Sequence, residues 1–183
     1  MMRFPPVPSA ARAGRLHPFL DVPAYREAQP QLVLELRRAR RYEHPLAVAV
    51  LSLEGCPPNG RSRAHARTLT DAMPALYGLL GSFLRNSVRE TDILTAAPEA
   101  LAFATFLPNT DGDGAARAIQ RFGAGFLDCA GHGLRGGVSA FPGDGLTIED
   151  LLDRACDAWR GEAVPAAAAL GTPAHSARRL AHG

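Results

Sequence analysis

Two small groups of side chains carry residue types suited to phosphate or metal chemistry. Glu54 closes the apolar run PLAVAVLSLEG, and Glu99 lies in the tight turn of RETDILTAAPEALAFATFLPNT. Two carboxylates on adjoining strand ends are the oxygen donors that a hard divalent cation takes. Two solvated acids at loop edges are the simpler account, and we expect no catalytic residue and no metal site. The second group is Arg89-Glu90-Thr91-Asp92. An arginine offers a planar fork to a phosphate or to a guanine edge, and an aspartate accepts from N–H groups. Helical placement is expected to bring Arg121 to the same side as a second guanidinium. The competing account of RETD is a salt-bridged turn that merely starts a strand.

Other motifs carry less. Asp111 to Gly114, DGDG, lacks the spacing and the distal Glu of a calcium loop and is expected to be a turn and helix N-cap. His65 with Arg61, Arg63 and Arg67 reads as a solvated basic loop and helix start, and RRARR as a solvated helix face. Trp159, at helical spacing from Leu152, belongs to a core or an interface. No Ser–His–Asp set, zinc pattern or P-loop is present, so no cofactor is expected.

The chain that must position these residues has 183 of them, a length for one domain. A hydrophobic content of 46% supplies a core, and a formal charge of +2 is too small to imply nucleic acid. Every basic side chain other than histidine is arginine, which with abundant Ala, Gly and Pro suits a GC-rich bacterial coding sequence. Cys56, Cys129 and Cys156 fit neither a disulfide framework nor metal-ligand spacing, so a reducing cytoplasm is expected. No apolar run reaches the ~18 residues of a membrane span, and no secretory signal is read at the N-terminus.

Periodicity divides the chain into a flexible N-terminal arm (1–17), one domain (18–162) and a flexible C-terminal tail (163–183). Leu32, Leu36 and Ala39 mark a helix over 24–42. The near-continuous apolar run at 45–55 suits a strand buried on both faces. After a loop at 56–63, Leu69, Met73, Leu76, Leu80 and Phe83 share one face of a helical region ending near Asn86, with Asp71 as a possible N-cap. Strands follow at 91–96 and 101–107, a helix at 113–128 and a strand at 134–141. Thr147 and Asp150 form an approximate capping box ahead of a last helix carrying Leu151, Leu152, Ala155 and Trp159. The order α-β-α-β-β-α-β-α is that of an α+β sandwich, a sheet with helices over it and one central hairpin.

This order, with ELRRARRYEHPLAVAVLSLEG, SVRETDIL, ALAFATFLPNT and GGVSAFPGDGLTIEDLLDRACDAW, resembles the GGDEF domain of bacterial diguanylate cyclases over residues 18–160. The resemblance implies a nucleotidyl-cyclase-like, ferredoxin-like palm with a central antiparallel-mixed sheet and flanking helices. It also implies an ancestral chemistry that joins two GTP molecules with divalent metal. The motif departs from the family at the positions that do this work. Glu99 and Ala100 stand for the turn glycines, Leu101 for a metal-binding carboxylate, Ala102 for the neighbouring acid and Ser52 for the first metal-binding Asp. Glu54 keeps the second acidic position. His65 matches a family histidine, whereas the guanine-reading Asn and Asp fall on Gly60 and Leu69, with Asn59 one position off. The expectation is a degenerate, catalytically inactive GGDEF-like domain serving as a signalling or protein-interaction module. It would have a protein partner or self-association, and Ala100, Leu101 and Ala102 would form a surface for a partner. An alternative is a cyclic di-GMP receptor through the R-x-x-D turn, with Arg89, Asp92 and Arg121 as ligand-binding residues. A further alternative is a residual nucleotidyl cyclase using Glu54 and Glu99.

Overall fold

A computed structural model describes residues 22–55, 73–97 and 101–161. Its elements run α1 (Tyr25–Tyr42), β1 (Leu46–Leu53), α2 (Met73–Ser87), β2 (Ile93–Ala97), β3 (Ala102–Pro108), α3 (Gly112–Ala130), β4 (Leu134–Phe141) and α4 (Ile148–Gly161). This is the element order read from the sequence. The arm at 1–17, the tail at 163–183, the Asp71 cap and the basic loop around His65 lie outside the described residues.

The four strands form one sheet in the order β2-β3-β1-β4. All three ladders are antiparallel, and the mixed character expected of the sheet reduces to one isolated parallel bridge, Ala24 to Ala96. There the Ala96 N–H donates to Pro23 O at 2.9 Å, so the chain entering α1 covers part of the β2 edge. β1 is central, and all eight of its residues are buried. Its side chains alternate between two cores, as the pleat requires. Leu46, Val48 and Val50 meet Leu32 and Leu36 of α1 and Leu151 and Ala155 of α4. Ala47, Ala49, Leu51 and Leu53 meet Tyr77 and Leu80 of α2 and Ile119, Phe122 and Phe126 of α3. A strand sandwiched in this way reads as a continuous apolar run.

The helix termini follow local chemistry. Asp111 accepts from the Gly114 N–H at 2.7 Å and starts α3, as DGDG suggests. Thr147 Oγ1 accepts from the Asp150 N–H at 3.0 Å, and Asp150 Oδ2 accepts from the Thr147 N–H at 3.1 Å, a reciprocal capping box ahead of α4. The buried stripe of α2 differs from the expected one. Tyr77, Leu80 and Leu84 are buried, whereas Met73, Leu76 and Phe83 are half-buried at its margin. A tyrosine with a bonded hydroxyl serves here as a core residue, which a purely apolar periodicity misses.

Candidate functional site

The register of β1 with β3 sets Ser52 directly opposite Ala102. These are the positions that the resemblance assigns to the first metal-binding Asp and to the acid beside the metal-binding one. Both are closed to solvent, with Ser52 at 0% and Ala102 at 2% exposure. Trp159 of α4, itself 3% exposed, belongs to the same core as Ala102, and its indole N–H donates to Ser52 Oγ at 2.8 Å. A short aromatic anchor is also present on the other face. The Tyr77 hydroxyl donates to Ala102 O at 3.1 Å, and its ring stacks on Phe103 with centroids 4.4 Å apart. Two aromatic rings therefore hold the base of the hairpin from opposite sides of the sheet.

Leu101 just ahead of Ala102 has φ +49°, a left-handed conformation that favours glycine, and it packs half-buried on the α2/α3 core. Ala102 thus does not contribute to the exposed partner surface expected of it. Strand pairing carries Ala102 into the core, whereas Leu101, in the turn ahead of β3, rests half-buried against the α2/α3 core. Glu99 and Ala100 lie outside the described residues.

Divalent metal with GTP would need several oxygen donors converging at one point. Ser52 offers one hydroxyl already bonded to an indole, and Ala102 offers no side-chain donor. Glu54, at the end of β1, donates its N–H to Gly133 O at 2.8 Å, and His132 Nε2 lies 3.1 Å from its carbonyl oxygen. Its carboxylate leans over Gly133 at the start of β4, where only the missing Cβ leaves room. Among the described residues no group of three or more His, Cys, Asp or Glu side chains is placed to hold a metal. The residues described do not fit the metal that the family chemistry requires.

The R-x-x-D turn is built differently from a salt bridge. The Asp92 N–H donates to Arg89 O at 3.0 Å, and Asp92 Oδ2 accepts from the Arg89 backbone N–H at 2.9 Å. Asp92 Oδ1 is buried with no partner among the described residues. Burial pushes the Asp92 carboxyl above the usual range, opposed by the Arg89 backbone bond and by the charges of Arg89 and Arg121. Arg121 lies on α3, with its guanidinium 5.3 Å from the centroid of the Phe122 ring. Next to this turn, Glu90 and Thr91 line a cleft of about 390 Å³ with Arg38 and Tyr42 of α1 and with Pro108 and Asn109 at the end of β3. Three separate segments build that cleft, so no local motif announces it. The Trp159–Ser52 bond is equally silent in the sequence, since 107 residues separate its partners.

The chain matches no family model, and no curated protein matches it. Solved structures do. The GGDEF domain of YfiN from Pseudomonas aeruginosa is 18% identical with a TM-score of 0.63, covering 76% of this chain and 83% of its own. The active GGEEF domain of a diguanylate cyclase from Vibrio cholerae is 15% identical with a TM-score of 0.63, covering 77% and 90%. The GGDEF domain of DgcB from Caulobacter crescentus, solved in complex with c-di-GMP, is 12% identical with a TM-score of 0.60, covering 77% and 85%. The chain has the α+β fold of the GGDEF domains of diguanylate cyclases. Among the described residues no helix is long and apolar enough to cross a membrane.

Proposed function

We propose that this chain is a catalytically inactive GGDEF-like domain that works as a cytoplasmic signalling or protein-interaction module. One observation carries the reading. The Ser52–Ala102 pair, which the resemblance aligns with acidic residues of the family, is buried, and the Trp159 indole bonds Ser52. Electrostatic stabilisation of a transferring phosphoryl group needs such charges in place. Residual cyclase chemistry through Glu54 and Glu99 finds little support, since the Glu54 carboxylate is directed over Gly133. Incubation of the full chain with GTP and Mg²⁺ or Mn²⁺, followed by chromatography, is expected to give no dinucleotide product. Turnover that disappears in Glu54→Gln would overturn the reading.

A second reading is favoured by the unpartnered Asp92 Oδ1 beside the charges of Arg89 and Arg121. In it the turn binds cyclic di-GMP, with the guanidinium groups on phosphate or guanine and Asp92 accepting from guanine N–H groups. Calorimetry with cyclic di-GMP separates the two readings. Heat with wild-type protein that vanishes in Arg89→Ala supports the receptor. No heat leaves the interaction module.

A further inference from the structure

The two helices on one face of the sheet carry opposite charge. α1 has five arginines against two glutamates, and α4 has four acids against two arginines. They lie side by side on the core formed by Leu32, Leu36, Leu151 and Leu152, and the Tyr25 hydroxyl meets Glu149 across the seam at 3.5 Å. On α1, Arg37 and Arg41 fall one turn apart on the side away from the buried Leu32, Leu36 and Ala39, next to Leu34 at 52% exposure. On α4, Asp153 and Asp157 fall one turn apart on the side away from Leu152, Ala155 and Trp159. Arg40 instead donates to Leu146 O, and Arg38 is paired with Glu35 at 2.6 Å. Among the described residues Arg37 makes no ion pair, and neither does Asp153, whereas Asp157 is paired with Arg160 at 2.6 Å.

We infer that this face binds a second copy of the same chain, with α1 of each copy on α4 of the other. The inference names the partner for the interaction reading above and rests on that reading. The symmetry is what makes it specific. A two-fold axis running along the helices and between them carries a basic helix onto an acidic one twice over, so the face is complementary to itself. Like charges would meet in any stacking that puts α1 on α1. A flat anionic surface is disfavoured because it would repel α4 while attracting α1. The helices are about 27 Å and about 21 Å long at 1.5 Å per residue, and side by side they offer an area of the order that a standard interface needs. Exposed Leu34 and Leu146, the latter at 59%, supply the apolar contacts that such an interface would cover.

Analytical ultracentrifugation of the full chain tests this. At 0.1 M NaCl the wild type is expected to show a concentration-dependent monomer–dimer equilibrium, weakened about tenfold or more at 0.5 M NaCl by screening. Arg37→Glu/Arg41→Glu and Asp153→Arg/Asp157→Arg are each expected to be monomeric alone. Mixed one to one, they are expected to form a heterodimer, because both contacts then pair opposite charges. The milder exchanges Arg37→Gln and Asp153→Asn are expected to weaken the dimer about threefold each. A wild type that stays monomeric, a dimer that survives both reversals, or folded variants that do not recombine would each overturn the inference. GTP turnover is read separately, so failure of the dimer is distinguishable from failure of the inactive-module reading.

Discussion

The Trp159 indole N–H points at Ser52 Oγ from 2.8 Å, and this one bond ties the last helix to the central strand at the position that the resemblance assigns to a metal-binding Asp. A hydroxyl at that place is satisfied, small and dry. A carboxylate there would be buried beside that indole, with Arg135 opposite it on β4.

Ser52 is therefore expected to resist reversion. Ser52→Asp should destabilise the fold by about 2 kcal/mol, because the carboxylate would be buried and Arg135, opposite it on β4, offsets only part of its desolvation. It should not restore cyclase activity. Ser52→Ala should cost about 1–2 kcal/mol by orphaning the indole N–H. Urea unfolding monitored by Trp159 fluorescence measures both, and GTP product analysis checks the first for gain of activity.

Gly137 lies where β4 meets α4 most closely. A Cβ there would run into Ala155 O and the Trp159 backbone N. Gly137→Ala is expected to lose about 3 kcal/mol, since the obstacle is backbone and cannot rotate aside. Thermal unfolding with a lowered midpoint and unchanged far-ultraviolet dichroism at low temperature would show it.

Asp92 is expected to titrate above the ordinary aspartate range, because its burial outweighs the favourable bond and charges. A carboxyl whose folded pKa exceeds its unfolded value lowers stability at neutral pH. That loss is recovered as pH falls through the folded pKa toward the unfolded one. Arg121→Ala should move the titration further up, since the Arg121 charge pulls it down. Carboxyl-carbon NMR titration of wild type and variant measures both midpoints. An unchanged midpoint in the variant would separate Arg121 from the site.

Glu43 caps α1 with φ +55°, and its N–H donates to Ala39 O. A left-handed conformation disfavours any residue with a Cβ, so Glu43→Gly is expected to stabilise by about 0.5–1 kcal/mol. Chemical denaturation should show a raised midpoint with an unchanged slope.

Much of the architecture is legible before any coordinates. The continuous apolar run ending at Leu53 requires a strand covered on both faces, and β1 is that strand. Asp111 and the Thr147/Asp150 pair announce helix starts through bonds that span three residues. Such signals are local, so the chain displays them in order. Tyr77 is the instructive exception, because its place in the core depends on a carbonyl on β3 that only the folded sheet brings near.

The primary structure alone determined the order of elements, their caps, and the residue types at Ser52, Leu101 and Ala102, where the resemblance would place carboxylates. Those are matters of residue type and short-range spacing. Only the tertiary structure decided that the Trp159 indole bonds Ser52, that the Tyr77 hydroxyl bonds Ala102 O, and that Glu54 leans over Gly133. It also decided that a basic helix and an acidic one lie together on a single face. The physical reason is range. A cap or an apolar stripe is complete within one or two turns of chain, whereas a desolvated hydrogen bond or a charge pair needs partners that strand pairing and helix packing must first bring within a few ångströms.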